Sequence, residues 1–435
     1  MTEKTAIVLG AGAVGLSSAY YLRRSGFDVT VIDPEPLAAR ASGHNAGWLI
    51  PSMSTPVPAP GMMLQAMKWM TQKDSPLYVS PNLDPHFASF LLKMLRNCTE
   101  SRFTRGAATL TRLSAGALDL FDDLEADGVE FERHVDPLTM LFTDPHKVEV
   151  RVHELDTLDG QLPGFSWRHM DADALKDHSP VLTDKVVAGI QSTGDQSVDP
   201  ASFVRGLAAA CERDGVTLRL GESASLVTSP APFGSPSSSP DGTEVSVQVG
   251  GTRLRADKIV VAGGVWTNEI LAGIGERVSL QSGKGYGYDL PLVEGGPTEP
   301  VYLAEGKVAI TPLNDRVRLA GTMGFTAIDE TIDKVRAGGI LSGAREYFTD
   351  WIDRAEQASV EQTGAASTPW TGLRPTTPDG VPIIGPLKSH PNVLVATGHV
   401  MLGISLGPVT GRLIAELATG ETSPESISDL SPERF

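Results

Sequence analysis

The chain has 435 residues, 41% of them hydrophobic and 20% charged. That is an ordinary globular composition with more chain than one core serves, since single cores stop growing near ~250–300 residues. Its 36 basic and 53 acidic residues leave a formal net charge of −17, which excludes the basic footprint of a nucleic-acid binder. Cys98 and Cys211 form neither a CxxC pair nor a Cys/His cluster, so no disulfide framework and no metal site are expected, and a reducing, cytoplasmic setting fits.

The first element is the stretch IVLGAGAVGLSSAYYL, Ile7 to Leu22, followed by DVTVID, Asp28 to Asp33. A hydrophobic run, three spaced glycines, an apolar helical pattern and a second strand ending in an acid describe a nucleotide-binding βαβ unit. Gly10 permits the tight strand-to-helix turn, Gly12 lets the backbone approach a pyrophosphate, and Gly15 lets helix and strand pack closely. The helix N-terminus offers free N–H groups to phosphate oxygens. Asp33 lies 18 residues beyond Gly15, where a carboxylate reaches a ribose hydroxyl. This unit starts so close to Met1 that no targeting peptide is expected ahead of it. No uninterrupted apolar run reaches the ~18 residues of a membrane span, so any membrane contact is expected to be peripheral.

The segment from Glu35 to Gly61 is rich in Pro, Ala and Gly and reads as a long functional loop or linker. Apolar residues recur at helical spacing from Leu64 to Leu95 and from Leu110 to Gly128. The acids Asp119, Asp122, Asp123, Glu125 and Asp127 read as the wet face of a helix rather than a cation site. A helix closed by Gly215 and the strand VTLRL follow Val198, and the Ser/Pro-rich residues 229–242 read as a flexible insertion in a hairpin. EVSVQV alternates as a strand, ADKIVVAGGVWTNEIL reads as a buried strand entering a glycine turn and helix, and KVAITPL and RVRLAGTM look antiparallel. From Asn392 the strand–glycine–helix grammar returns. The expected fold is therefore α/β, with a discontinuous Rossmann-like nucleotide-binding domain (1–85, 190–275 and 370–435). An inserted α+β substrate domain (86–189 and 276–369) is expected on a mixed, largely antiparallel sheet.

Several segments then appear in a telling order: SGHNAG (Ser42 to Gly47), VVAGGVW (Val260 to Trp266), KGYGYDL (Lys284 to Leu290), TGLRPTTPDGVPIIG (Thr371 to Gly385) and ATGHVMLGISLGP (Ala396 to Pro408). With the amino-terminal unit they resemble the FAD-dependent D-amino-acid oxidase superfamily, most closely its bacterial D-amino-acid dehydrogenase branch of the small-subunit type. AMKWM (Ala66 to Met70) and MLRNC (Met94 to Cys98) are similar to that branch as well.

The resemblance implies FAD with its pyrophosphate on Gly10, Ala11, Gly12, Ala13, Val14 and Gly15, and its adenosine ribose at Asp33 and Pro34. Family members often carry Glu where this chain has Asp33. It implies that Ser42, Gly43, His44, Asn45, Ala46, Gly47 and Leu49 line the pyrophosphate and flavin, that Ala224 bonds adenine through its main chain, and that Ala262, Gly263 and Gly372 pack beside the cofactor. In the related dimethylglycine and sarcosine dehydrogenases a His within HAAG is covalently joined to the flavin. For His44 a phosphate contact or a supporting contact is the preferred reading.

Arg374 resembles the family arginine that grips the substrate carboxylate, and a planar guanidinium suits that bidentate task. Tyr286 and Tyr288 either help form the substrate pocket or simply pack. Gly398, His399, Val400, Met401, Leu402 and Gly403 would meet the flavin edge through their backbone, with the His399 side chain either a catalytic or a structural group. The implied activity is oxidative deamination of D-amino acids by hydride transfer. The neighbouring alternative is oxidation of secondary amines such as D-proline, hydroxyproline or sarcosine. Alternatives of other classes are an assembly subunit with structural FAD and an NAD-linked dehydrogenase.

The electron acceptor is left open among quinone, oxygen and an electron-transfer protein. Met62 to Met70 is read as buried packing in preference to a membrane-surface helix, with the protein cytoplasmic or peripheral to the inner face of the membrane.

Overall fold

The computed structural model describes residues 4–61, 77–79, 84–156, 162, 164–179, 181–230 and 243–435. The expectations for Met62 to Met70 and for most of 229–242 lie outside these residues.

Two sheets organise the chain. The first has six strands, in the order Thr217–Leu220, Phe27–Asp33, Lys4–Leu9, Lys258–Val261, Val393–Thr397, Ile383–Pro386, all parallel except the last pair. Alternation along its strands feeds two cores. Ala6, Val8, Val29 and Val31 face helices Ala13–Arg24, Pro200–Arg213 and Gly407–Thr419. Ile7, Leu9 and Ile32 face the small antiparallel sheet of Ala224–Pro230, Thr243–Val249 and Thr252–Leu254. Because the chain leaves Lys4–Leu9 for Phe27–Asp33 on one side and later returns to Lys258–Val261 on the other, the crevice at its carboxyl end is a topological switch point, where such sheets bind ligands.

The second sheet has nine strands. Its continuous path is Trp370–Thr376, Gln281–Pro291, Arg316–Thr326, Val308–Pro312, Val301–Leu303, Leu138–Phe142, Ala188–Thr193, Ser166–Met170, with Leu77–Val79 beside Arg316–Thr326. It is mixed and largely antiparallel, with parallel pairing at Val301–Leu303 and at Leu77–Val79. Helices Lys334–Arg345 and Trp351–Thr363 cover one face, burying Ile340, Ala344 and Trp351 against Tyr286, Leu290 and Leu319.

Two segments sit elsewhere than expected. Helices Glu100–Ser114 and Ala117–Ala126 place Leu110, Leu120, Phe121 and Leu124 in the nucleotide-sheet core, with Phe121 5.1 Å from Phe203, whereas the sequence pattern places 86–189 in the substrate unit. Their apolar stripe is satisfied by helix Pro200–Arg213, a partner distant in sequence. Strand Trp370–Thr376 in turn joins the substrate sheet rather than the nucleotide sheet. The acid-rich helix face is solvated as expected, and some of its acids also find partners: Asp122 and Glu125 meet Arg133, and Asp127 meets Arg24 and Tyr20. Among the described residues no acid, His or Cys cluster could hold a metal, and no helix is long and apolar enough to cross a membrane.

Candidate active site

The glycine turn is shaped by what a Cβ would strike. At Gly10, with φ +117°, it would lie 2.5 Å from the Ala262 carbonyl oxygen, and at Gly15 it would lie 1.9 Å from the Gly10 oxygen. Strand Lys258–Val261 thus closes beneath the turn, with Ala262 N–H bonded to Leu9 O at 2.9 Å. Helix Ala13–Arg24 starts at Gly12 with no side-chain cap. The Ser42 hydroxyl reaches in, accepting from Ala13 N–H at 3.1 Å. Asp33 accepts from Ala11 N–H at 2.7 Å and from Glu35 N–H at 2.8 Å, so its carboxylate ties the turn to the strand end. Pro34 is exposed beside it, Val14 packs partly against the core, and Ala224 begins the strand next to Ile32.

Residues 42–47 form a braced loop over this turn. Asn45 spends its side chain on the loop itself: Nδ2 donates to Ala41 and Ser42 oxygens at 2.9 and 3.0 Å, and Oδ1 accepts from Gly47 N–H at 2.8 Å. Gly43 is packed against the Ala38 carbonyl and Gly47 against that of Val198, with no room for a Cβ at either. Ala46 O accepts from Thr311 Oγ1 at 2.7 Å. His44 stacks on Trp370 with ring centroids 5.5 Å apart, and burial together with nearby Arg318 keeps it below the usual histidine range, hence neutral. The Leu49 side chain is fully buried in the nucleotide core and offers the site no side-chain contact.

The substrate sheet turns a floor of glycines toward this loop. Gly283, Gly285 and Gly287 alternate on one face of Gln281–Pro291, and side chains of Trp370–Thr376 lie across them. A Cβ on Gly285 would sit 2.0 Å from Arg374 Nη1, and one on Gly287 2.1 Å from the Trp370 ring. Gly372 presses on the His44 carbonyl in the same way. Arg374 Nη1 donates to Thr322 O at 3.0 Å. Thr322 sits in a bulge at φ +63°, a left-handed conformation unusual for a β-branched residue, which aims its carbonyl at the guanidinium. Among the described residues no carboxylate pairs with Arg374, and burial pulls its guanidinium down to about 10, leaving it charged at neutral pH.

Tyr286 and Tyr288 point the other way. Because side chains alternate along a strand, residues flanking Gly285 face the opposite side, and both tyrosines pack with helices Lys334–Arg345 and Trp351–Thr363. Neither is positioned to touch a substrate held by Arg374. A pocket of about 320 Å³ beside the bulge, lined by Lys284, Tyr286, Thr322, Asp333 and Arg336, belongs to this helix-covered side.

The His399 side chain is also turned away. Its Nε2 bonds the Thr410 hydroxyl at 2.8 Å inside the core, and burial lowers it to about 3, which keeps the ring neutral and engaged with the last helix. The turn it begins is distinctive, with Gly398 at φ +79° and Val400 at φ +53°, and it precedes helix Gly407–Thr419. Val400 N–H bonds Pro375 O at 3.0 Å, fastening the turn to the Arg374 strand, while Met401 is exposed. Gly263 precedes the short helix Thr267–Leu271, its Cβ position filled by Ile270, and Gly403 lies against the His399 Cβ.

Sequence reasoning missed Arg318, Asp289, Trp370, Thr311 and Tyr302, all on the glycine face. Tyr302 lies 5.8 Å from the Trp48 ring and is pushed up to about 12 by burial. Two signals were available: the period-two glycines within GKGYG, and charges inside apolar strands, which demand buried partners.

At the switch point a tight glycine turn opening a helix thus faces, across the 42–47 loop, a strand whose Arg374 guanidinium has no carboxylate partner among the described residues. That combination defines a two-unit dinucleotide-dependent oxidoreductase. Residues 5–417 match the FAD dependent oxidoreductase family DAO, and the chain belongs to that family. It is 34% identical to a D-amino acid dehydrogenase from Methylobacterium nodulans, over 99% of this chain and 98% of that one. It is 33% identical to one from Xanthobacter autotrophicus with the same coverage. Among solved structures it resembles glycine oxidase from Geobacillus kaustophilus, with TM-score 0.75, 18% identity and 99% of each chain covered, a likeness of fold. The residues present fit FAD: with no Cβ at Gly10, Gly12 and Gly15 the turn stays tight against Ala262 and Ser42, and the N-cap residue Gly12 puts no side chain of its own over the helix N-terminus.

Proposed function

We propose that the chain oxidises D-amino acids to 2-oxo acids and ammonia, with FAD held by Gly10–Gly15, Asp33 and the 42–47 loop. The observation that carries this reading is the Arg374 guanidinium: half-buried, charged, without an anionic partner among the described residues, and steered by Thr322 across the bare face of Gly285. A substrate carboxylate supplies the missing anion through a bidentate pair. The D configuration is supported by the names of the relatives at 34 and 33% identity.

FAD, when bound, accepts two electrons and the hydrogen of the α-carbon. The chain's own part is to bind and orient. Arg374 fixes the carboxylate, the glycine floor leaves room for the α-carbon to approach closely, and the 42–47 loop and the 399–403 turn frame the site. With His399 neutral and turned to Thr410, and both tyrosines behind the sheet, no proposed side chain is placed to take the amine proton. The substrate therefore reacts with its amine already neutral, and water hydrolyses the imino acid outside any protein-catalysed step. Rate enhancement then comes from positioning. The relatives' designation as dehydrogenases supports an electron acceptor other than oxygen.

Anaerobic mixing of the flavin-loaded protein with a substrate panel tests the reading. Bleaching of the flavin by D-alanine and other primary D-amino acids is expected, with slow recovery in air and fast recovery with a soluble quinone. Bleaching by D-proline or sarcosine alone moves the activity to secondary amines. Bleaching by no amine overturns it.

A further inference from the structure

Arg318 is a buried charge that substrate capture leaves without a task. It is 3% exposed on strand Arg316–Thr326 and forms a bidentate pair with Asp289 at 2.7 and 2.8 Å. Though burial works against it, Arg318 holds the Asp289 carboxyl below the usual carboxylate range. Its Nη1 reaches out of the sheet and donates to Gly43 O at 3.0 Å and Asn45 O at 3.1 Å. Trp370 lies over the guanidinium at 5.3 Å and stacks on His44. One side chain thus joins the cofactor loop to the strand that bears Arg374.

The peptide geometry gives this clamp a consequence. The peptide bond is planar and trans, so a carbonyl pinned toward Arg318 at Asn45 sends the following amide, Ala46 N–H, to the opposite side. That amide has no protein acceptor among the described residues, and the Ala46 carbonyl is itself held by Thr311. The loop therefore has its donor direction set before any ligand arrives.

We propose that Arg318 is a positioning residue for the cofactor. By clamping the Gly43 and Asn45 carbonyls to the substrate sheet it presets the Ala46 amide as a donor to bound FAD, and it fixes the cofactor loop relative to the Arg374 strand. The proposal rests on the reading that residues 42–47 line FAD. A planar fork is needed to serve a carboxylate on one edge and two carbonyls on another, which an ammonium does not reproduce.

The test compares the purified holoenzyme with Arg318→Lys and with the charge-free double variant Arg318→Met/Asp289→Asn, which leaves no uncompensated buried carboxylate. The readouts are the FAD dissociation constant, from flavin fluorescence on dilution, and the melting curve by circular dichroism. Both variants are expected to bind FAD at least ten-fold more weakly, the double variant melting as cooperatively as wild type. The Lys variant covers the case in which the double variant fails to fold. FAD affinity within two-fold of wild type in either folded variant overturns the proposal. The readout does not depend on which substrate is oxidised, so failure of the amino-acid reading is distinguishable, whereas a wild-type protein that binds no FAD overturns both.

Discussion

Arg374 and Gly285 act as one unit. The arginine crosses the neighbouring strand only because Gly285 has no side chain, so Gly285→Ala places a methyl group 2.0 Å from Nη1 and must displace the guanidinium. The expected outcome is a raised KM with unchanged flavin content, read from steady-state kinetics alongside the visible spectrum. Arg374→Ala removes the anion partner altogether. Losing a pair of charge-assisted hydrogen bonds is worth about 3 kcal/mol or more, so kcat/KM is expected to fall at least roughly a hundred-fold. Arg374→Lys should recover only part of that, because a point charge cannot form the fork.

At the scale of elements, glycines set how closely the start of the first helix approaches the nucleotide sheet, while Leu16, Ala19 and Leu22 bury its apolar face. A Cβ at Gly15 meets the Gly10 carbonyl at 1.9 Å, backbone against backbone, and the turn can accept it only by opening. Gly15→Ala is expected to yield protein depleted of flavin, measured as the ratio of flavin to protein absorbance. The last helix also packs closely through a glycine, Gly411 against the Ser17 backbone, and its Thr410 hydroxyl bonds His399. His399 is lowered to about 3 in the folded chain against an ordinary 6.5, so between those values the unfolded state binds more protons than the folded one. Stability therefore falls as pH drops from about 6.5 toward about 3. His399→Gln is expected to flatten this part of the curve in denaturant titrations across pH, at a cost of about 1–3 kcal/mol at neutral pH if the Thr410 bond is lost.

For the whole molecule, local grammar and long-range facing were legible to different degrees. The strand–glycine–helix units at Ile7–Leu22 and Asn392–Gly420 declare themselves because backbone approach and helix packing constrain nearby residues. The side of a sheet on which Tyr286 and Tyr288 fall depends on which strand crosses which. Only the pairing of Gly285 with Gly372 and the reach of Arg374 settle that. The same holds for helices Glu100–Ser114 and Ala117–Ala126, whose apolar stripe fits either unit until Phe203 is brought against it. Arg318 and Asp289 are separated by 29 residues and reveal their partnership only across adjacent strands. With His399, Tyr286 and Tyr288 all turned from the site, the reading also makes a kinetic statement: the ascending limb of kcat/KM against pH should follow the substrate's own amine pKa when amino acids with different amine pKa values are compared.

The account stands on Arg374 as the anchor of an amino-acid carboxylate, and rapid anaerobic mixing with D-alanine addresses that directly. Saturable flavin reduction is predicted for wild type. In Arg374→Gln the half-saturating concentration is predicted to rise at least roughly a hundred-fold while FAD stays bound, in line with the loss of about 3 kcal/mol. Equal half-saturation in the two proteins would contradict the account.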